Sequence, residues 1–149
     1  LYSKHLGREM KHIYMKVGGK AILLSVVGAI LFFILRRPIV EICFGNGAMT
    51  SENIEVFIEV LGVLIVSIPF SIIIAVSTRM LFVMRKIKVY TLLMIPCNII
   101  TCALYYCLIE KNGVNGYAMA DVSMEIVKSI MLSGCTLLLL KKIKCKYED

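Results

Sequence analysis

Residues 21–54 read AILLSVVGAILFFILRRPIVEICFGNGAMTSENI: an apolar run, a basic pair, a proline, a second apolar stretch and a glycine-containing turn. Crossing the hydrocarbon core of a bilayer takes about 20 helical residues at roughly 1.5 Å each. Ala21–Leu35 falls short of that, so the span borrows Val17–Gly19 while Lys20 reaches back to the interface, which sets a first span at 17–36. Arg36 and Arg37 are expected to stop this helix at the membrane edge, because Pro38 fits where a helix starts or is absent. IVEICF, 39–44, then reads as a short interfacial helix. Gly45 and Gly47 permit the reversal, and Thr50 or Ser51 caps the next helix with Glu52 and Glu55 in its first turns, where the dipole favours negative charge.

The rest of the chain repeats this pattern. A second run has its uncharged core at 60–78 and Pro69 in its middle, so a kinked span is expected over 54–79. A third covers 89–109 and contains Pro96 and Asn98; a fourth covers 114–140 and carries Asp121, Glu125 and Lys128. Hydrophobic residues make up 59% of the 149 and charged residues 18%, far from the roughly 45–50% apolar content of a soluble domain. The expected fold is an all-α integral membrane bundle of four transmembrane helices forming a single domain, 1–149, with flanks at 1–16 and 141–149.

Charge then orients the bundle. One side collects Lys4, Arg8, Lys11, Lys16, Lys20, Arg85, Lys86, Lys88, Lys141, Lys142, Lys144 and Lys146. The other has Arg36, Arg37 and Lys111, together with Glu41, Glu52, Glu55, Glu59 and Glu110. Cytoplasmic loops keep the positive excess, so both termini are expected in the cytoplasm. The net charge of +7 then reflects topology and attraction to anionic lipid, and implies no nucleic acid.

Several chemistries find no footing. There is no nucleophile with a paired base, no phosphate-binding glycine loop and no dinucleotide fingerprint, so neither an enzyme nor a cofactor is expected. Cys97, Cys102 and Cys107 step about 140° round a helix each time and cannot converge on a metal. With Cys43, Cys135 and Cys145 they read as small apolar filler. His5 and His12 lie in the basic flank without partner ligands. The first residue is Leu1 and the first twenty are polar and basic, unlike a signal peptide; a fragment of a longer protein is expected.

RRPIVEICFGNGAMTSENI, 36–54, resembles the pattern of bacterial lipid II flippases of the MurJ/MviN type, in which Pro and Ile lead through a Gly-containing turn into a helix. Pro69 with Arg79 and the following MLF looks like the Pro and Arg of that family's next helix, and Asn98 in IPCNII like the Asn of the one after. LIEKNGVNGYAMAD, 108–121, is similar to the glycine turn used across the wider multidrug/oligosaccharidyl-lipid/polysaccharide exporter superfamily. The likeness runs from about Tyr14 to Leu140, in order. It implies part of the second six-helix lobe of a transporter in the bacterial plasma membrane, whose missing first-lobe helices belong to the same polypeptide. The implied function is translocation of an undecaprenyl-linked peptidoglycan precursor by alternating access. Polysaccharide or O-antigen repeat-unit flippases share the glycine turn and stay open, as does a small membrane scaffold without transport.

Asp121, Glu125 and Lys128 fall within roughly a 60° arc of one helix face. Charges at that depth normally face protein or a wet cavity. They are therefore substrate-pathway candidates with Arg79, the carboxylates carrying protons or repelling a phosphate and Lys128 attracting one. The other reading is a self-neutralising ladder in which Glu125 pairs with Lys128. Glu55 and Glu59 are candidates for the outer mouth, or simply a solvated helix start. Arg79 either contacts a lipid pyrophosphate or snorkels.

Overall fold

The computed structural model describes residues 2–44 and 50–145, and every regular element among them is helical. α1 covers Tyr2–Phe44, α2 Ser51–Ile65, α3 Ile68–Val83 and α4 Ile87–Cys145. A helix satisfies its own backbone polar groups, which an apolar solvent cannot do for it, so long apolar sequence takes this form. α1 and α4 are each long and apolar enough to cross a membrane, and α2 with α3 make a third such unit bent by 41°.

The first helix departs from the sequence expectation. Arg36 and Arg37 do not end it, and Pro38 lies inside it. A proline in a helix interior costs about 3 kcal/mol through a lost hydrogen bond and a steric clash. Packing offsets this: Val40 is buried, the Phe44 ring meets Phe57 edge-on at 5.3 Å, and the Arg37 Nε–H donates to Glu41 across the proline at 3.0 Å. IVEICF is thus the end of α1, held against α2, and not a separate interfacial helix. The basic flank before the first span is also helical, from Tyr2 onward. The Gly45 and Gly47 reversal lies outside the described residues. Thr50 is the N-cap of α2 with extended backbone (φ −70°, ψ 153°), yet its side chain makes no capping hydrogen bond; Glu52 is in the first turn.

The bend in 54–79 falls between Ile65 and Ile68. Ser67 Oγ donates to the Leu64 carbonyl at 2.7 Å, and Pro69 sits in the first turn of α3, where its missing N–H is no loss. At the far end of α3, the Lys86 and Arg85 amides return to the Leu81 and Phe82 carbonyls, both at 2.9 Å. This is a Schellman closure in which Arg85, at φ 55°, occupies the left-handed position usually given to glycine.

α4 is two helices joined at Gly113, whose φ of 58° and ψ of −136° suit a residue without Cβ. Tyr105 meets both Tyr117 and Asp121, and the Cys97 and Met131 sulfurs are 3.8 Å apart. These pairs flank Gly113, so the arms 87–112 and 114–145 run antiparallel for about 24 Å. Gly116 makes the close approach possible: a Cβ there would overlap the Leu108 carbonyl.

α1 runs antiparallel to α2 and α3, since Arg37 bonds Glu55 at one end and the Tyr14 and Ser77 hydroxyls share a 2.8 Å hydrogen bond at the other. The start of α1, the α3–α4 turn and the end of α4 therefore gather at one end of the bundle. Its interior mixes large aliphatic side chains with small and hydroxyl ones: Leu81, Leu132, Leu140 and Val40 are fully buried, as are Ala118, Ala120, Ser77 and Thr136, whose small size lets helices approach closely. Thr101 and Thr136 return their hydroxyls to the Cys97 and Leu132 carbonyls at 2.7 Å. Only 11% of the most apolar window of α1 and of α4 is buried, so these faces must meet lipid or further helices.

Candidate functional site

Asp121 and Glu125 lie on the second arm of α4, which Gly113 and Gly116 bring back alongside the first. They share a helix face but take different partners. The Tyr105 hydroxyl, on the first arm, donates to Asp121 Oδ1 at 2.7 Å, and its ring stacks on Tyr117 with centroids 4.7 Å apart. Ser71 Oγ, one turn past the bend in α3, donates to Glu125 Oε2 at 2.8 Å. That contact also puts the carboxylate near the positive end of α3's dipole.

Depth follows from chain distance. Asp121 lies about 12 Å and Glu125 about 18 Å along the axis from Gly113, and Ser71 is correspondingly far from the α3–α4 turn. Glu125 is thus near the middle of a bundle whose hydrocarbon zone would be about 30 Å thick. Ser71 is exposed and Glu125 half-exposed, so this mid-depth pair looks outward from the described helices.

Lys128 is half-buried and makes no ion pair among the described residues, so the expected Glu125–Lys128 ladder is absent. A serine on a neighbouring helix holds the carboxylate in its place. Arg79 is exposed near the end of α3, apart from Asp121 and Glu125, and makes no ion pair among the described residues. At the opposite end, Glu55 is engaged by Arg37 Nη2 at 2.9 Å, while Glu59 is exposed and unpaired among the described residues. The six sequence candidates therefore do not form one cluster. Asp121 and Glu125 share a polar track with Tyr105 and Ser71; Glu55 belongs to a surface ion-pair network with Arg37 and Glu41.

Tyr105, Ser71 and Arg37 are the participants that sequence reading missed. Tyr105 had a usable signal, because it and Asp121 stand equally far from Gly113, as facing positions of a helical hairpin must. Ser71 had none, since nothing local says which helix comes alongside.

The cysteines divide. Cys97 is buried against Met131, Cys135 is half-buried, and Cys43, Cys102 and Cys107 are exposed on the described helices. No group of three metal-binding side chains gathers among the described residues. In comparison with known proteins, no family model, no curated protein and no solved structure matches this chain.

Proposed function

We propose that this chain is the membrane-embedded wall of a flippase of the multidrug/oligosaccharidyl-lipid/polysaccharide exporter superfamily. In this reading it helps move a polyprenyl-linked cell-wall precursor, lipid II or a related glycan lipid, across the bacterial plasma membrane by alternating access. One observation carries the reading: the outward-looking Ser71–Glu125 pair at mid-depth. A carboxylate there is too costly to leave against lipid, so water or further protein must meet it. In a flippase that surface borders the central cavity. The headgroup passes along the track of Ser71, Glu125 and Asp121, with Lys128 one turn away to attract its phosphates, while the tail stays in lipid. The bend at 65–68 is where α2 and α3 flex between the two open states. The basic end of the bundle, and with it both termini, faces the cytoplasm.

A second reading is favoured by the same contacts seen differently. Both carboxylates already have a hydroxyl partner, so the face can serve as a dry contact with another subunit of a scaffold. The test is the double substitution Asp121→Asn with Glu125→Gln in the intact protein, with precursor translocation and membrane abundance measured together. A flippase loses translocation at unchanged abundance. A scaffold loses abundance or assembly, and unchanged values for both remove the pair from any pathway.

A further inference from the structure

At the other end of α1 is a feature that the transport reading does not use. We propose that Arg36 is a preorganised site for a membrane-borne phosphate group.

Arg36 directly follows the apolar run Ala21–Leu35, at the height where lipid headgroups begin. Its guanidinium carbon sits 4.1 Å from the centroid of the Phe33 ring, one helical turn back. On α2 it lies against Gly62: a Cβ at that glycine would overlap Arg36 Nη1 and stand 3.7 Å from the Phe33 ring. The ring and the bare stretch of helix together hold the group in place.

The neighbouring acids do not neutralise it. Glu41 and Glu55 are both taken by Arg37, and Arg36 makes no ion pair with Glu59 or any other acid among the described residues. A guanidinium stacked by its face keeps its edge donors free, and that planar fork matches two oxygens of a phosphate. Those oxygens come either from a phospholipid headgroup or from a lipid diphosphate. The site stands whether or not the chain moves a lipid-linked precursor; only the diphosphate as its source rests on that reading.

The experiment is native mass spectrometry of the full chain in detergent, titrated separately with dioleoylphosphatidylglycerol and with farnesyl diphosphate. Arg36→Gln is expected to weaken the first bound equivalent about tenfold, the size of losing charge-assisted hydrogen bonds. Arg36→Lys should fall nearly as far, because it keeps the charge and loses the fork. Gly62→Ala, with Arg36 intact, should weaken binding too by pushing the guanidinium off its seat; Phe33→Leu asks the same without touching α2. Lys88→Gln, an equal charge loss on an exposed residue at the far end, should bind as wild type. Equal affinity for the two probes, lost with Arg36, supports the site with phospholipid as its source. A preference for the diphosphate that disappears with Arg36 supports it with the substrate-like lipid. Wild-type binding by Arg36→Lys, or the same affinity for Arg36→Gln as for Lys88→Gln, overturns the proposal and reduces Arg36 to an interfacial anchor.

Discussion

The two helix hairpins of this chain are fastened by different means. α1 meets α2 through an aromatic contact, Phe44 on Phe57, and displays its charges at the surface: Arg37 bridges Glu41 and Glu55, and Arg36 lies over Phe33 against Gly62. The arms of α4 meet through shape and an uncharged donor: Gly113 turns, Gly116 lets the Leu108 carbonyl come close, and Tyr105 hands one hydrogen bond to Asp121. The difference follows from exposure: Arg37, Glu41 and Glu55 are open to solvent, whereas Gly116 is buried and Tyr105 and Asp121 are half-buried. Ion pairs open to water gain little because water competes for both partners. Away from water, steric fit and a satisfied polar atom count for more, because an unmet group has no replacement partner.

The largest expected break in this contrast is Gly116→Val. Its Cβ would overlap a backbone carbonyl, which cannot swing aside as a side chain can. Thermal unfolding in detergent, followed by helical circular dichroism, should show Tm falling by about 10 °C or more, as for a severe packing defect. An unchanged Tm would mean that the α4 arms do not need their close approach.

Next comes Tyr105→Phe, which keeps the stack on Tyr117 and removes the donor to Asp121. The expected loss is on the order of 1–2 kcal/mol. Adding Asp121→Asn should restore part of it, since an unpaired amide is less costly than an unpaired carboxylate. If the double variant is no better than the single one, the bond does not hold the hairpin.

The smallest effect is expected at Arg37. Its side chain is 64% exposed and its partners Glu41 and Glu55 are 55% and 60% exposed, so Arg37→Gln should leave Tm indistinguishable from wild type at any salt concentration. A clear fall at low salt that vanishes at high salt would show that the charged hairpin depends on its ion pairs after all.

Glu125 and Arg36 show how far local reading reaches. Four and three residues separate Asp121, Glu125 and Lys128, and that spacing correctly puts them on one face. It also suggests the nearest opposite charge as Glu125's partner, and there the inference fails, because Ser71 arrives from 54 residues away. Arg36–Arg37–Pro38 carries strong local stop signals, yet α1 continues to Phe44 because the segment packs on α2.

The sequence by itself determined that this chain is helical, with runs long and apolar enough to cross a membrane. Long uncharged runs such as 89–109 would leave the backbone no other way to satisfy itself in lipid, and the glycines at 113 and 116 mark a reversal because other residues resist the conformation and the contact found there. Only the tertiary structure decided where the described part of α1 packs, which hydroxyl holds each carboxylate, and which of two adjacent arginines pairs with no acid among the described residues. Hydropathy and backbone preference are sums over neighbours in the chain. A hydrogen-bond partner is whatever the fold brings within 3 Å, and that depends on how distant helices pack.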